Sequence, residues 1–164
     1  MNEKFAQRLK EIYEDQTLTA ALRYACYVCV AVTAYALGYL LVLHAGEDLW
    51  FCVRVLGILG IPFLLVSLLR MFINASRPCE LLDFYGEIPK RKKGRSFPSR
   101  HTFSAFAVGT LVLFYLPGFG LGILAAGIAL AVCRVLLGYH FPRDVVAGAL
   151  IGTVSSLIGY FIIL

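Results

Sequence analysis

Seven residues carry side chains suited to a single kind of chemistry. Arg70, Arg77 and Arg134 supply planar guanidinium forks that match phosphate oxygens two at a time, and several together imply a multiply charged anion. Beside such an anion, His101 and His140 suggest one nucleophile and one proton donor. Asp144 follows His140 by four residues, with Pro142 between them. A proline there favours a helix start, which puts Asp144 in the first turn and able to reach back to an imidazole nitrogen. That is the orienting-acid logic of a catalytic triad. Ser99 follows Pro98 and precedes an apolar run, so it is placed to cap a helix whose N-terminus adds N–H donors and positive dipole for the same anion.

The elements that must position these groups lie in a membrane. Of the 164 residues, 60% are hydrophobic and 15% charged, against about 25% charged in a soluble domain. This excludes an ordinary cytosolic enzyme, a disordered tail and a small secreted disulfide scaffold. The length fits one domain, residues 1–164. The net charge is +5, but the basic residues are confined between apolar runs. Acidic lipid headgroups or phosphate substrates therefore fit better than nucleic acid. The five cysteines, Cys26, Cys29, Cys52, Cys79 and Cys133, read as packed, reduced thiols.

The spacing predicts an all-α, polytopic helix bundle with five crossings: Tyr24–Leu43, Leu49–Ile73, Ser99–Leu116, Phe119–Leu137 and Pro142–Leu164. Thr102 to Cys133 holds no charged residue and is too long for one crossing, so Pro117-Gly118 is read as a tight hairpin inside it. An N-terminal segment (Asn2–Gln16, within an interfacial stretch 1–19) is expected to lie on the membrane surface as an amphipathic helix. Gly118-x-x-x-Gly122 and Gly148-x-x-x-Gly152 have the spacing that lets membrane helices approach closely. Five crossings put the turns at His44–Asp48 and Pro117-Gly118 on one side. Arg70–Arg77, Pro98–His101 and Arg134–Asp144 fall on the other. Arg23 and Arg70 are equidistant from the first turn, as are His101 and Arg134 from the second, so each pair returns to one depth.

Arg70-x6-Arg77-Pro78, Pro98-Ser99-Arg100-His101 and Arg134-x5-His140-x3-Asp144 resemble, in order, the three signature motifs of the type 2 phosphatidic acid phosphatase (PAP2) superfamily, K-x6-R-P, P-S-G-H and S-R-x5-H-x3-D. The match spans residues 70–144. Arg70 replaces the usual lysine, Arg100 the glycine, and Cys133 stands where the third motif begins with serine. The family's membrane members usually have six spans, and the one lacking here is at the N-terminus. The resemblance implies a phosphatase that uses no metal or other cofactor and works through a phosphohistidine. It casts His140 as the nucleophile, Asp144 as its partner and His101 as the acid for the leaving oxygen. It makes Arg70, Arg77, Ser99, Arg100 and Arg134 the phosphate-binding set. The sequence holds no acidic cluster able to bind Mg²⁺.

Each residue alone has an ordinary reading: Arg70 as an interface anchor, Arg134 and Arg143 as positive-side anchors, His101 as a helix-end residue. The joint spacing is what points to a site. His44 lies at the opposite end, and Arg54 is expected to pair with Glu47 or Asp48. Lys90–Arg95 reads as a solvated or headgroup-facing loop. The partner implied is a lipid phosphate held in the bilayer: phosphatidylglycerol phosphate, phosphatidic acid, or an isoprenyl phosphate or diphosphate. The alternatives are an undecaprenyl diphosphate phosphatase with an extracytoplasmic site and an inactive lipid-binding scaffold. The five spans argue against a soluble vanadate-dependent haloperoxidase. Fourteen of the fifteen Lys and Arg residues fall on the active-site side, which by the positive-inside rule makes that face cytoplasmic and puts Leu164 outside.

Overall fold

The computed structural model describes residues 3–46, 48–82 and 94–164. Among these residues it has six α-helices: α1 (Glu3–Glu14), α2 (Gln16–Ala45), α3 (Leu49–Ile73), α4 (Arg100–Tyr115), α5 (Pro117–Leu136) and α6 (Pro142–Ile163), with a 3-10 turn at Pro78–Glu80. Local chemistry sets their ends. Asp15 and Asp48 cap α2 and α3, accepting the N–H groups of Leu18 at 2.9 Å and Phe51 at 3.0 Å. Asn74 closes α3 in the left-handed region at φ 43°. Pro117 and Pro142 occupy first-turn positions, where a missing N–H costs nothing. Gly138, at φ 66°, follows α5 and turns the chain toward His140.

The helices follow the expected spans with two shifts. α2 begins at Gln16 and not Tyr24, because the Asp15 cap lets its polar first turns continue the helix beyond the apolar stretch. The surface segment accordingly ends at Glu14. It is two-faced, with Leu9 buried and Arg8, Lys10, Glu11 and Glu14 exposed. The Thr19 hydroxyl donates to the Ile12 carbonyl at 2.8 Å and holds it to α2. Pro117-Gly118 opens α5 directly, leaving Leu116 as the link from α4. Among the described residues, four helices, α2, α3, α5 and α6, are long and apolar enough to cross a membrane.

The sixteen-residue α4 is the centre of the bundle. It packs against α2, α3, α5 and α6, and Phe103, Ala105, Ala107, Leu111 and Val112 on it are buried. Its tightest partner is α6. A Cβ on Gly152 would collide with the Phe103 carbonyl oxygen, and one on Gly148 with that of Ser99. Ser156 Oγ donates to the Ala107 carbonyl at 2.8 Å along the same seam. The spacing at Gly148 and Gly152 therefore marks a real backbone approach. Gly118 and Gly122, by contrast, have open space where a Cβ would stand. The outer faces present large apolar side chains such as Tyr27, Phe72, Phe161 and Ile162, as lipid contact requires.

Candidate active site

The C-terminal ends of α3 and α5 and the N-terminal ends of α4 and α6 meet at one end of the bundle. The segment 94–99 runs between them. Arg70, buried in the last turn of α3, donates through one terminal nitrogen to the carbonyls of Ser96 (3.2 Å) and Pro98. Arg77 Nε donates to the Gly94 carbonyl at 3.2 Å and pairs with Glu80 at 3.9 Å, while Glu80 accepts the Gly94 N–H at 2.6 Å. Ser96 N–H donates to the Ala75 carbonyl at 2.8 Å, and Cys79 N–H to that of Gly138 at 3.0 Å. The first two arginines thus shape the segment as well as facing the cavity. A guanidinium has five N–H donors, so each keeps others for an anion.

His140 and Asp144 lie beneath this segment, 1% and 0% exposed. Asp144 is in the first turn of α6, as the Pro142 start requires, and its Oδ2 accepts the Phe141 N–H at 3.0 Å. Oδ2 lies 3.7 Å from His140 Nδ1. Between them stands Ser96, fully buried, with Oγ 2.5 Å from Asp144 Oδ2 and 3.4 Å from His140 Nδ1. Burial pushes the His140 imidazole down to about 4. The Asp144 carboxylate works against that shift, and Arg134, Arg77 and Arg70 add to it. The ring is therefore neutral at physiological pH, with a lone pair to offer.

Six arginines line one cavity of about 660 Å³: Arg23, Arg70, Arg77, Arg95, Arg100 and Arg134. His101 lies exposed on its wall, whereas His140 is not part of the lining. The Arg134 guanidinium sits 4.8 Å over the Tyr139 ring. A second cavity of about 490 Å³ lies between α2, α3 and α4, lined largely by apolar side chains such as Leu37, Leu56, Leu59 and Val108. Arg100 and His101 line both cavities, and Arg100 rests 5.8 Å over the Phe63 ring.

Ser99 occupies the N-cap position of α4 without capping it through its side chain. Its hydroxyl accepts from Thr102 Oγ1 at 3.1 Å. Its backbone does the positioning, donating N–H to the Asp144 carbonyl at 2.9 Å and locking the starts of α4 and α6 together. The first-turn N–H groups of α4 are left without intrahelical acceptors, as at any helix start. Ser96, Arg23, Arg95 and Tyr139 are additions to the site. The return of Arg23 to the depth of Arg70 is the sequence signal for Arg23. No motif distinguished Ser96. Arg54 pairs with Asp48 at 2.9 Å; Glu47 and residues 90–93 lie outside the described residues. Among the described residues, no three His, Cys, Asp or Glu side chains converge as a metal-holding group.

An all-helical bundle with this site belongs to a known class. The model of the PAP2 superfamily matches residues 51–163. The chain is a member of that superfamily and an integral membrane protein. It is 33% identical over 81 residues to the bacitracin transport permease protein BcrC of Bacillus licheniformis, covering 49% of this chain and 40% of that one. It is 34% identical over 101 residues to the lipid A 1-phosphatase of Rhizobium johnstonii, covering 58% of this chain and 41% of that one. The matches thus span less than half the length of these relatives. Among solved structures, LpxE of Aquifex aeolicus superposes with a TM-score of 0.70 at 25% identity, over 93% of this chain and 92% of that one.

Proposed function

We propose that this chain is a lipid phosphate phosphatase that works through a phosphohistidine on His140. The observation that carries the reading is the pair of adjoining cavities. One is lined by six arginines, the other is apolar and runs between helices, and Arg100 and His101 stand where they meet. A lipid fits that shape with its phosphate among the cations and its chain between α2, α3 and α4. The lipid A 1-phosphatase relative supports a substrate of this class. Phosphatidylglycerol phosphate, phosphatidic acid and prenyl phosphates share the chemistry.

In the first step, His140 Nε2 attacks phosphorus as the bond from phosphorus to the lipid oxygen breaks. His101 gives that oxygen its proton. In the second step, His101 takes a proton from water, whose oxygen bonds to phosphorus as the N–P bond breaks, releasing inorganic phosphate. Arg77, Arg100 and Arg134 stabilise the charge spread over the equatorial oxygens. His140 lies behind the cavity wall, so attack requires its Nε2 to be uncovered as phosphate enters. The chemistry needs no metal ion.

Purified protein assayed on the candidate lipids should release phosphate in EDTA, and His140→Ala should abolish release. Dependence on added Mg²⁺, or wild-type turnover in His140→Ala, would overturn the mechanism. The active face is proposed to be cytoplasmic, on the charge asymmetry. In a background without native cysteines, Gly46→Cys should react with an impermeant thiol reagent in intact cells, and Glu14→Cys only after permeabilisation. Both positions are exposed, Glu14 at the end of α1 just before α2 begins and Gly46 just after α2 ends. The reverse labelling pattern would place the site outside.

A further inference from the structure

Between His140 and its carboxylate partner the structure interposes a third side chain. The direct Nδ1 to Oδ2 separation of 3.7 Å is beyond hydrogen-bond reach. Ser96 Oγ spans the gap, at 2.5 Å from Asp144 Oδ2 and 3.4 Å from His140 Nδ1. We propose that Ser96 is a positioning residue through which Asp144 orients His140. The proposal rests on the reading of His140 as nucleophile.

The donor inventory fixes the direction of the chain. A carboxylate only accepts, and a hydroxyl has one proton, so the short contact commits the Ser96 proton to Asp144. What Oγ then offers the imidazole is a lone pair. Only the tautomer with its proton on Nδ1 satisfies that lone pair, and in that tautomer Nε2 is unprotonated and nucleophilic. The opposite tautomer would set two lone pairs against each other in a site without solvent exposure. Ser96 is itself held on both backbone sides, by the Ala75 carbonyl at 2.8 Å and by Arg70 at 3.2 Å. Asp144 is fixed through Oδ2 by the Phe141 N–H at 3.0 Å, while its Oδ1 faces Arg143 Nε at 3.6 Å. Arg70 thereby acts on the nucleophile from a distance, by seating the serine that seats the ring.

Phosphate release from a lipid phosphate should be measured for the parent, Ser96→Ala, Ser96→Thr, Asp144→Asn, the Ser96→Ala/Asp144→Asn double variant and His140→Ala. Ser96→Ala should lower kcat by about 10- to 100-fold, with KM within about twofold. Ser96→Thr, which keeps the hydroxyl, should recover most of that loss. The double variant should be no slower than Asp144→Asn alone, because both substitutions cut one chain. Parent kcat in Ser96→Ala, losses that multiply in the double variant, or a rise in KM alone would overturn the proposal. If His140→Ala retains turnover, the nucleophile reading fails instead. A measurement without any variant gives a separate test, since the chain has only three histidines. In ¹⁵N-histidine-labelled parent protein at neutral pH, His140 should be in the Nδ1–H tautomer, and finding Nε2–H would overturn the proposal.

Discussion

The two ends of the bundle use the same residue types to different ends. At the end away from the site, Arg54 pairs with Asp48, six positions away, and His44 Nδ1 contacts the Leu40 carbonyl at 3.0 Å, four positions away. His44 also stacks on Phe51 at 4.2 Å. At the site end local pairs such as Arg77 with Glu80 are joined by remote ones: Arg70 reaches Ser96 across 26 positions, and Ser96 reaches His140 and Asp144 across 44 and 48. Local pairing satisfies a side chain wherever the helix goes, whereas remote pairing requires the whole fold. An unpartnered atom does not separate the two ends, because Arg54 and Arg134 each leave a buried Nε without a hydrogen bond. The cavity does. Arg134 faces an arginine-lined space, and Arg54 lines neither cavity.

The comparison can be broken by substitution, beginning with the largest effect. His101→Ala should slow release from alkyl phosphates by about 10²- to 10⁴-fold, and much less from activated aryl phosphates that need no proton on the leaving oxygen. Equal losses on both would remove its role as acid. Arg134→Ala should cost about 10²- to 10³-fold in kcat, as the loss of one preorganised charge does. A small loss confined to KM would return it to a structural anchor.

The next test is one of pH. Burial holds the His140 ring near 4, so the neutral, attacking form persists down to that value. In kcat/KM, which reports the free enzyme, the acid limb corrected for the substrate's own ionisation should have its midpoint near 4, whereas an ordinary histidine would place it at about 6.5. A midpoint at the ordinary value would mean that His140 titrates in contact with water. Gly152→Leu should destabilise the protein by about 1–3 kcal/mol or more by forcing α6 off α4, read as a lower Tm in detergent. Gly122→Leu, in open space, should leave Tm unchanged. The smallest effects belong to the far end. Arg54→Ala and His44→Ala should keep activity within about twofold, since a half-exposed ion pair contributes about 0–1 kcal/mol.

Much of this arrangement was legible in the sequence, for physical reasons. Charge is excluded from hydrocarbon, so charge-free runs mark the spans, and equal distances from a turn return residues to one depth. Asp144 could be placed in a first turn because Pro142 starts a helix. What the sequence did not carry was side-chain direction. The motif brings Ser99 to the helix start, but only the fold turns its hydroxyl toward Thr102. Ser96 lies between Arg95 and Phe97 with no periodicity to mark it, and its meaning comes from residues more than 40 positions later. Of the two glycine spacings, only the one facing a backbone mattered, and spacing alone cannot say what a glycine faces.

The short central helix has a consequence for the bilayer. Sixteen residues make about 24 Å of helix, against a hydrocarbon thickness of about 30 Å. α2 continues from Arg23 at the cavity out to Gln16, a further rise of about 10 Å. The arginine-lined cavity is therefore recessed from the first residue of α2. In a bilayer, a cluster of cations recessed in this way would draw water and headgroups down to it, thinning the membrane locally. On the proposed function, the substrate lipid would then stay in its leaflet while its phosphate meets water at the bottom of the notch. For the lipid phosphate phosphatase proposed above, released phosphate would depart along the aqueous path and the dephosphorylated lipid would leave sideways. The two products of such a reaction would part by partition between phases, which opposes its reversal.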